Sequence, residues 1–190
     1  MKKIIVLSIS ILVLSIYGLN AQEDQSLKPK YRFFNEYGFF AGSSMDEGEF
    51  GITGIFVNGV QIDKVHYVGF GMGYESGVTI GQGIPLFLNY RYFFDKGRRI
   101  KPYMHLSMGT RFSFWDEERY YEEEDEFGFT YIRYGEPIQR SGMGVYSSIG
   151  VGFTSHAFSL STSIFYRSRY CKTIDYQGFA GVEIKAGFTL

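Results

Sequence analysis

The chain has 190 residues, room for one domain, and a formal charge of −1 at pH 7. Its 19 Phe, 16 Tyr and 24 Gly make it too aromatic for a disordered chain and too rich in glycine for a helical one. The near-balance of charge offers nucleic acid no basic surface, and a mean hydropathy close to zero excludes a bundle of apolar membrane helices.

Residues 1–21 read as a secretory signal peptide. Lys2 and Lys3 precede an apolar run over 4–16, and Leu19-Asn20-Ala21 stands before Gln22. No Cys sits at that cleavage site to carry a lipid anchor. Residues 22–30 form a short polar leader, and residues 31–190 the folded domain. The lone Cys171 has no internal partner for a disulfide, and a free thiol in a loop is expected.

From Tyr31 onward eight segments alternate between two faces, the signature of strands. In 33–42, Tyr37, Phe39 and Ala41 oppose Glu36, Gly38, Phe40 and Gly42; 43–49 is a polar loop. In 50–62, Ile52 and Phe56 compete with Ile55 and Val57 for the apolar face. Placing Phe56, Val60 and Ile62 outward turns Gly59 and Gln61 inward. Asn58-Gly59 is a hairpin signature elsewhere, but here it would leave two very short strands, so a bulge or kink within one strand is expected. In 65–75, Val68, Phe70, Met72 and Tyr74 oppose Gly69, Gly71, Gly73 and Glu75. No helical pattern follows these glycines, so they do not read as a nucleotide loop. Residues 76–83 form a loop.

The clearest pair is 84–94 and 102–114, joined by Asp95-Lys96-Gly97-Arg98-Arg99. Leu86, Leu88, Tyr90, Tyr92 and Phe94 face away from Phe87, Asn89 and Arg91. Met104, Leu106, Met108, Thr110, Phe112 and Phe114 face away from Tyr103, His105, Ser107, Gly109, Arg111 and Ser113. About ten alternating residues suffice for a tilted strand to cross a bilayer. Residues 115–140 form the longest connection, with Asp116-Glu117-Glu118 and Glu122-Glu123-Glu124-Asp125-Glu126 followed by an alternating aromatic return through Tyr131 to Tyr134. That return implies a hairpin protruding from the barrel. Strands over 142–154, 158–170 and 178–190 complete the set, with a tight turn at Ser155-His156 and a loop over 171–177.

The expected connections are long after odd segments and short after even ones, as in an up-and-down barrel with short periplasmic turns and longer outer loops. Gly69, Gly71, Gly73, Gly142, Gly144, Gly150 and Gly152 all fall on the polar face. In water they would weaken the strands, whereas inside a narrow barrel they make room for Arg and Tyr. The reading is therefore an all-β, eight-stranded antiparallel up-and-down transmembrane β-barrel with its polar face inward. A soluble barrel with an apolar interior is rejected.

The run Ile84-Pro85-Leu86-Phe87-Leu88-Asn89-Tyr90-Arg91-Tyr92-Phe93-Phe94, the step Lys101-Pro102-Tyr103 and the closing stretch from Val182 to Leu190 resemble small Gram-negative outer-membrane β-barrels of the OmpA and OmpX transmembrane type. The closing strand departs from that pattern at Leu190, where an aromatic residue is usual, and at Lys185, where Gly is common. The resemblance implies an outer-membrane barrel, recognition by the barrel-assembly machinery during insertion, and contact with the lipid bilayer and lipopolysaccharide. An even strand number implies that both mature termini are periplasmic.

The candidate site is the inward polar set: Glu36, Asn89, Arg91, His105, Arg111, Arg167, Glu183 and Lys185, with Glu75, Arg169, Tyr103 and Tyr146 on the same face. Unpaired charge is costly in a low-dielectric interior, so these side chains should pair, Arg91 with Glu183 or Glu36, and fill a lumen just wide enough for them. His105-Leu106-Ser107 resembles the His-x-Ser pair of an outer-membrane lipid A deacylase, but both side chains share the polar face with Arg111. No metal-ligand spacing occurs, and no cofactor is implied. The acidic stretch Glu122, Glu123, Glu124, Asp125 and Glu126 lacks the spacing of a calcium loop and reads as a solvated surface. With Tyr131 and its aromatic neighbours, the 115–139 loop could instead receive an extracellular protein. The expected function is a non-enzymatic barrel with a plugged lumen, serving envelope integrity or adhesion through its loops. The alternatives are a lipid-modifying barrel enzyme and a narrow channel or lumenal ligand binder.

Overall fold

A computed structural model describes residues 29–44, 48–78, 80–94, 99–117, 120–124, 130–155, 157–171 and 174–189. The signal peptide and nearly all of the leader lie outside the described residues, as do Glu118, Asp125, Glu126, His156 and Leu190. Ten strands follow one another: β1 Lys30–Ser43, β2 Gly48–Gln61, β3 His66–Gly77, β4 Gln82–Phe93, β5 Ile100–Glu117, β6 Tyr120–Glu124, β7 Thr130–Tyr134, β8 Ile138–Ser155, β9 Phe158–Cys171 and β10 Ile174–Thr189. Eight of them close an antiparallel barrel in the order β1-β10-β9-β8-β5-β4-β3-β2, while β6 and β7 pair as a separate two-stranded sheet. Successive barrel strands are neighbours, and β1 against β10 seals the ring.

The chain enters and leaves at one end of the barrel, called here the turn end. The opposite, loop end carries the β6–β7 hairpin. Alternation governs the wall throughout. Leu88 is 65% exposed and its neighbours Phe87 and Asn89 are buried, as a two-residue period requires. The outward row places Leu88, Met108, Ile149, Ile164 and Val182 around the middle, with Tyr31, Tyr90 and Phe94 toward the turn end and Phe50, Tyr74, Phe114 and Tyr170 toward the loop end. On β1, β2 and β3 the aromatic Tyr37, Phe56 and Phe70 enter the middle as well, and a wall apolar all the way round is the exterior of a barrel standing in lipid. Two hydroxyls at outward positions bond main chain: Thr110 Oγ1 donates to the Gly144 carbonyl at 2.9 Å, and the buried Ser168 Oγ accepts from Val145 N–H at 2.8 Å.

β2 settles the competition in its sequence. Ile55 and Val57 are buried inside, and Ile52, Phe56 and Val60 are exposed outside. Its Asn58-Gly59 step is neither bulge nor kink, which corrects the expectation. Asn58 pairs with Phe33 and Phe70, and Gly59 with Arg32 and Gly69, in unbroken register on both sides. The glycine serves space here, because a Cβ at residue 59 would meet the Val68 carbonyl, the Gly69 Cα and the Tyr67 hydroxyl.

The strands also run further than expected. Residues 76–77 and 82–83 belong to β3 and β4, and Ile174 through Gln177 to β10, which pairs with β9 across a register shift between Ile174 and Gln177. The expected contrast between long outer loops and short turns therefore shrinks, leaving one long connection. β5 and β8 stay paired as far as Glu117 with Ile138 before the hairpin begins. The strand pattern continues past the apolar belt, and the backbone ladder follows it.

Candidate functional site

The lumen is the site. Among the described residues four buried cations, Arg91, Arg111, Arg167 and Lys185, stand with four buried carboxylates, Glu36, Glu49, Glu75 and Glu183, and their charges balance. Two groups of ion pairs account for most of it.

The group nearer the turn end is centred on Arg91 of β4. Its Nη1 and Nη2 donate to Glu36 Oε1 and Oε2 at 2.8 and 3.0 Å, and its Nε donates to Asn89 Oδ1 at 2.9 Å. Asn89 Nδ2 passes the chain on to Ser107 Oγ at 2.9 Å. Ser159 Oγ and Tyr103 Oη donate to Glu36 Oε1 at 3.3 and 3.4 Å. The guanidinium lies over Phe34, its Cζ 3.8 Å from the ring centroid. A two-pronged, charge-assisted pair, with Nε also bonded to Asn89 and Nη1 donating to Tyr103 Oη at 3.3 Å, offsets the desolvation that burial imposes. His105 is the register partner of Arg91 and turns its ring toward Tyr103.

The second group lies nearer the loop end and runs through a chain of charges. Lys185 Nζ meets Glu183 Oε1 at 2.5 Å, Glu183 Oε2 meets Arg167 Nη2 at 2.7 Å, and the same Nη2 lies 2.8 Å from Glu75 Oε1. Glu75 Oε2 then accepts from Arg111 Nε at 3.0 Å. Going either way round the ring, β3 and β9 are four strands apart, so Glu75 and Arg167 join opposite walls. Arg167 is held between two rings, 4.3 Å from the Phe40 centroid and 3.9 Å from that of Phe165.

Apolar side chains stand at both ends of these charges. Phe34, Tyr67, Phe93 and Tyr103 belong to one buried cluster toward the turn end. Phe40, Ile80, Phe165 and Phe179 form another toward the loop end. Ile80 comes from the short β3–β4 connection, where Gly81 adopts a φ of +68°, a conformation that favours glycine. Ile80 N–H is held by Glu49 Oε2 at 2.7 Å.

The structure thus gathers Glu36, Asn89, Arg91 and His105 in one group and Arg111, Arg167, Glu183 and Lys185 in the other. Of the two carboxylates expected for Arg91, Glu36 takes it and Glu183 is occupied by Lys185 and Arg167. Arg169 is half-buried, donating from Nε to Gln177 Oε1 at 2.8 Å beside Trp115. Glu49 and Ile80 lie in the segments expected as loops, 43–49 and 76–83. Parity identifies Glu49, which shares the inward face with Thr53 and Ile55; no local pattern singles out Ile80. His105 and Ser107 are both buried in the lumen, and Ser107 serves Asn89, so no lipid-facing Ser–His pair forms. On the hairpin, the backbone sets Glu122, Glu123 and Glu124 opposite Ile132, Tyr131 and Thr130; Asp125 and Glu126 lie outside the described residues. Among the described residues no group of three or more His, Cys, Asp or Glu could hold a metal.

Neither family models nor curated protein sequences match the chain. Solved structures do. Neisserial surface protein A (NspA) aligns over 86% of this chain and 99% of its own at 13% identity, with a TM-score of 0.53. Ail, the attachment invasion locus protein of Yersinia pestis, crystallised with the heparin analogue sucrose octasulfate, covers 85% and 99% at 11% identity and a TM-score of 0.48. The N-terminal β-barrel domain of Pseudomonas aeruginosa OprF covers 86% and 100% at 12% identity and a TM-score of 0.43. What the chain shares with NspA at this level of identity is the fold: a small, closed, eight-stranded antiparallel barrel.

Proposed function

We propose that this protein is a non-enzymatic outer-membrane β-barrel whose lumen is plugged by its own side chains, and that it serves envelope integrity or adhesion through its loop end. The inversion of the faces carries this reading. Apolar side chains cover the outside, and charge-balanced ion pairs between two aromatic clusters occupy the inside. A barrel of eight strands has an interior about as wide as its side chains, and here cross-lumen pairs such as Arg167 with Glu75 take up that width. Function then falls to the surface beyond the membrane, where the β6–β7 hairpin projects from the extended β5 and β8.

In this reading the signal peptide over 1–21 directs export, both mature termini face the periplasm, and the loop end faces outward among lipopolysaccharide. The assembly machinery inserts the chain, and the 115–139 segment meets an extracellular protein. Fractionation tests the placement: the mature chain should travel with the outer membrane and migrate faster on detergent gels before heating than after. Recovery as a soluble periplasmic protein would overturn it. Planar-bilayer recording tests the plug, which should pass no stable nanosiemens-scale current. Replacing 118–137 with a short turn should abolish surface binding while the barrel still folds; unchanged adhesion and envelope permeability in both the trimmed and deletion strains would remove the surface role.

A further inference from the structure

The outer wall is not evenly filled. Near the turn end, where β5, β8, β9 and β10 run side by side, it carries a hollow of about 560 Å³ walled by Phe94, Pro102, Val151, Phe153, Leu160 and Ile184. That volume lies within the range of roughly 300–1,000 Å³ typical of small-molecule sites. Its lining is almost wholly apolar. Along the outward row of β9 Thr162 is shorter than Leu160 and Ile164 on either side, and its register partners are Val151 of β8 and Ile184 of β10. The inward-pointing Gly152 lies between Val151 and Phe153, so main chain floors the groove. Phe94 and Pro102 are fixed at its rim by the Phe94 N–H to Pro102 carbonyl bond at 2.8 Å.

Charge at the two ends differs in sign. Lys30, Arg32, Lys64, Arg99 and Lys101 lie at the turn end, against Asp63 alone among the described residues. The loop end carries an acidic excess, Asp116, Glu117, Glu122, Glu123, Glu124, Glu136 and Asp175 against Arg133, Arg140 and Arg169 among the described residues. Arg99 is exposed and precedes Pro102 by three residues, roughly 10 Å of extended chain at about 3.3 Å per residue. A chain seated in the groove would bring its polar head to that level, and clustered Lys and Arg at a membrane surface attract anionic headgroups.

We propose that this hollow is a binding site for one acyl chain of an anionic phospholipid, with its phosphate at Arg99 on the basic turn end. The site rests on the outer-membrane reading above. A second copy of the chain fits less well, because side-by-side barrels would bring two basic turn ends together. Lipid A, whose phosphates would lie at the other end, would meet acidic residues instead.

The test is native mass spectrometry on the full mature chain, refolded into vesicles of phosphatidylglycerol and phosphatidylethanolamine in equal amounts and released in mild detergent. The wild type should retain one phosphatidylglycerol per barrel, favoured several-fold over phosphatidylethanolamine and over added lipid A. Thr162→Phe and Val151→Trp both fill the hollow and keep the lipid face apolar, so each should lose the adduct while retaining the gel mobility of a folded barrel. If one of them misfolds, the other decides. Arg99→Gln should keep a bound lipid and lose the headgroup preference. Leu88→Phe, elsewhere on the apolar face, should change nothing. Filled variants that hold phosphatidylglycerol like the wild type, or a wild type that prefers lipid A, would overturn the site. A wild type that inserts and retains no phospholipid overturns the site alone, whereas one that inserts into no vesicle overturns the outer-membrane reading with it.

Discussion

Arg91 and Glu36 are 55 residues apart in sequence and meet inside the barrel as a two-pronged pair, at 2.8 and 3.0 Å. The strands that carry them, β4 and β1, are three apart around the ring, so the pair spans lumen rather than wall. Removing either partner strands a buried charge. Arg91→Met or Glu36→Gln alone should therefore destabilise the barrel by roughly 3–5 kcal/mol. The double variant should lose less than the sum, since neither charge is then left alone. Arg91→Met combined with Glu183→Gln should be closer to additive, because Glu183 serves Lys185 and Arg167. Urea titrations of the refolded protein in liposomes measure all of these. Additive losses for the Arg91 and Glu36 variants would show that the pair is not coupled.

The lipid face has its own test. Leu88 is 65% exposed at the middle of β4, so Leu88→Arg should cost about 2–4 kcal/mol of folding free energy in a bilayer, whereas Leu88→Met should be mild. At the inward Ser161, size decides: Ser161→Ala should be tolerated, and Ser161→Arg should fail for want of room. Equal tolerance of Arg at Leu88 and at an exposed loop position would contradict the assigned parity.

Ile80 tests whether the β3–β4 connection is part of the core. It is 1% exposed, while Val78, two residues earlier, is 83% exposed. Ile80→Ala should lose roughly 2–5 kcal/mol, as large-to-small core substitutions do. Val78→Ala should stay within about 0.5 kcal/mol. The same titration reads both, and similar values for the two would show that Ile80 does not seat in the barrel mouth.

Glycines on the inner face should differ from those at the margins. A Cβ at Gly71 would run into the Phe87 ring, whereas one at Gly48 meets nothing within 4 Å. Gly71→Ala should therefore destabilise by about 1–3 kcal/mol through overpacking, and Gly48→Ala should be neutral or slightly stabilising. Phe87→Leu introduced with Gly71→Ala should recover part of the loss. An unchanged loss in that double variant would place the clash elsewhere.

Which way each strand's side chains face is legible in the sequence alone, though the strands' full length is not. Side-chain direction along a strand reverses at every residue whatever lies alongside, so Leu86, Leu88 and Tyr90 declare one face and Phe87, Asn89 and Arg91 the other without knowledge of any neighbour. Even the ambiguous β2 yielded to this rule once Gly59 and Gln61 were turned inward. The hairpin of β6 and β7 was legible for the same reason. Partnership was not. Which carboxylate reaches Arg91 depends on how the sheet closes, on the stagger that closure imposes, and on the reach of side chains from walls far apart in sequence. Only the closed barrel sets Glu36 against Arg91 and joins Glu75 of β3 to Arg167 of the opposite β9. The same holds for Ile80, whose place under Phe40, Phe165 and Phe179 follows from where the connection crosses the barrel mouth, and for the hollow at Thr162, which exists only because β8 and β10 set Val151 and Ile184 on either side of it. Parity is a property of one strand, whereas contact across a lumen is a property of the whole ring.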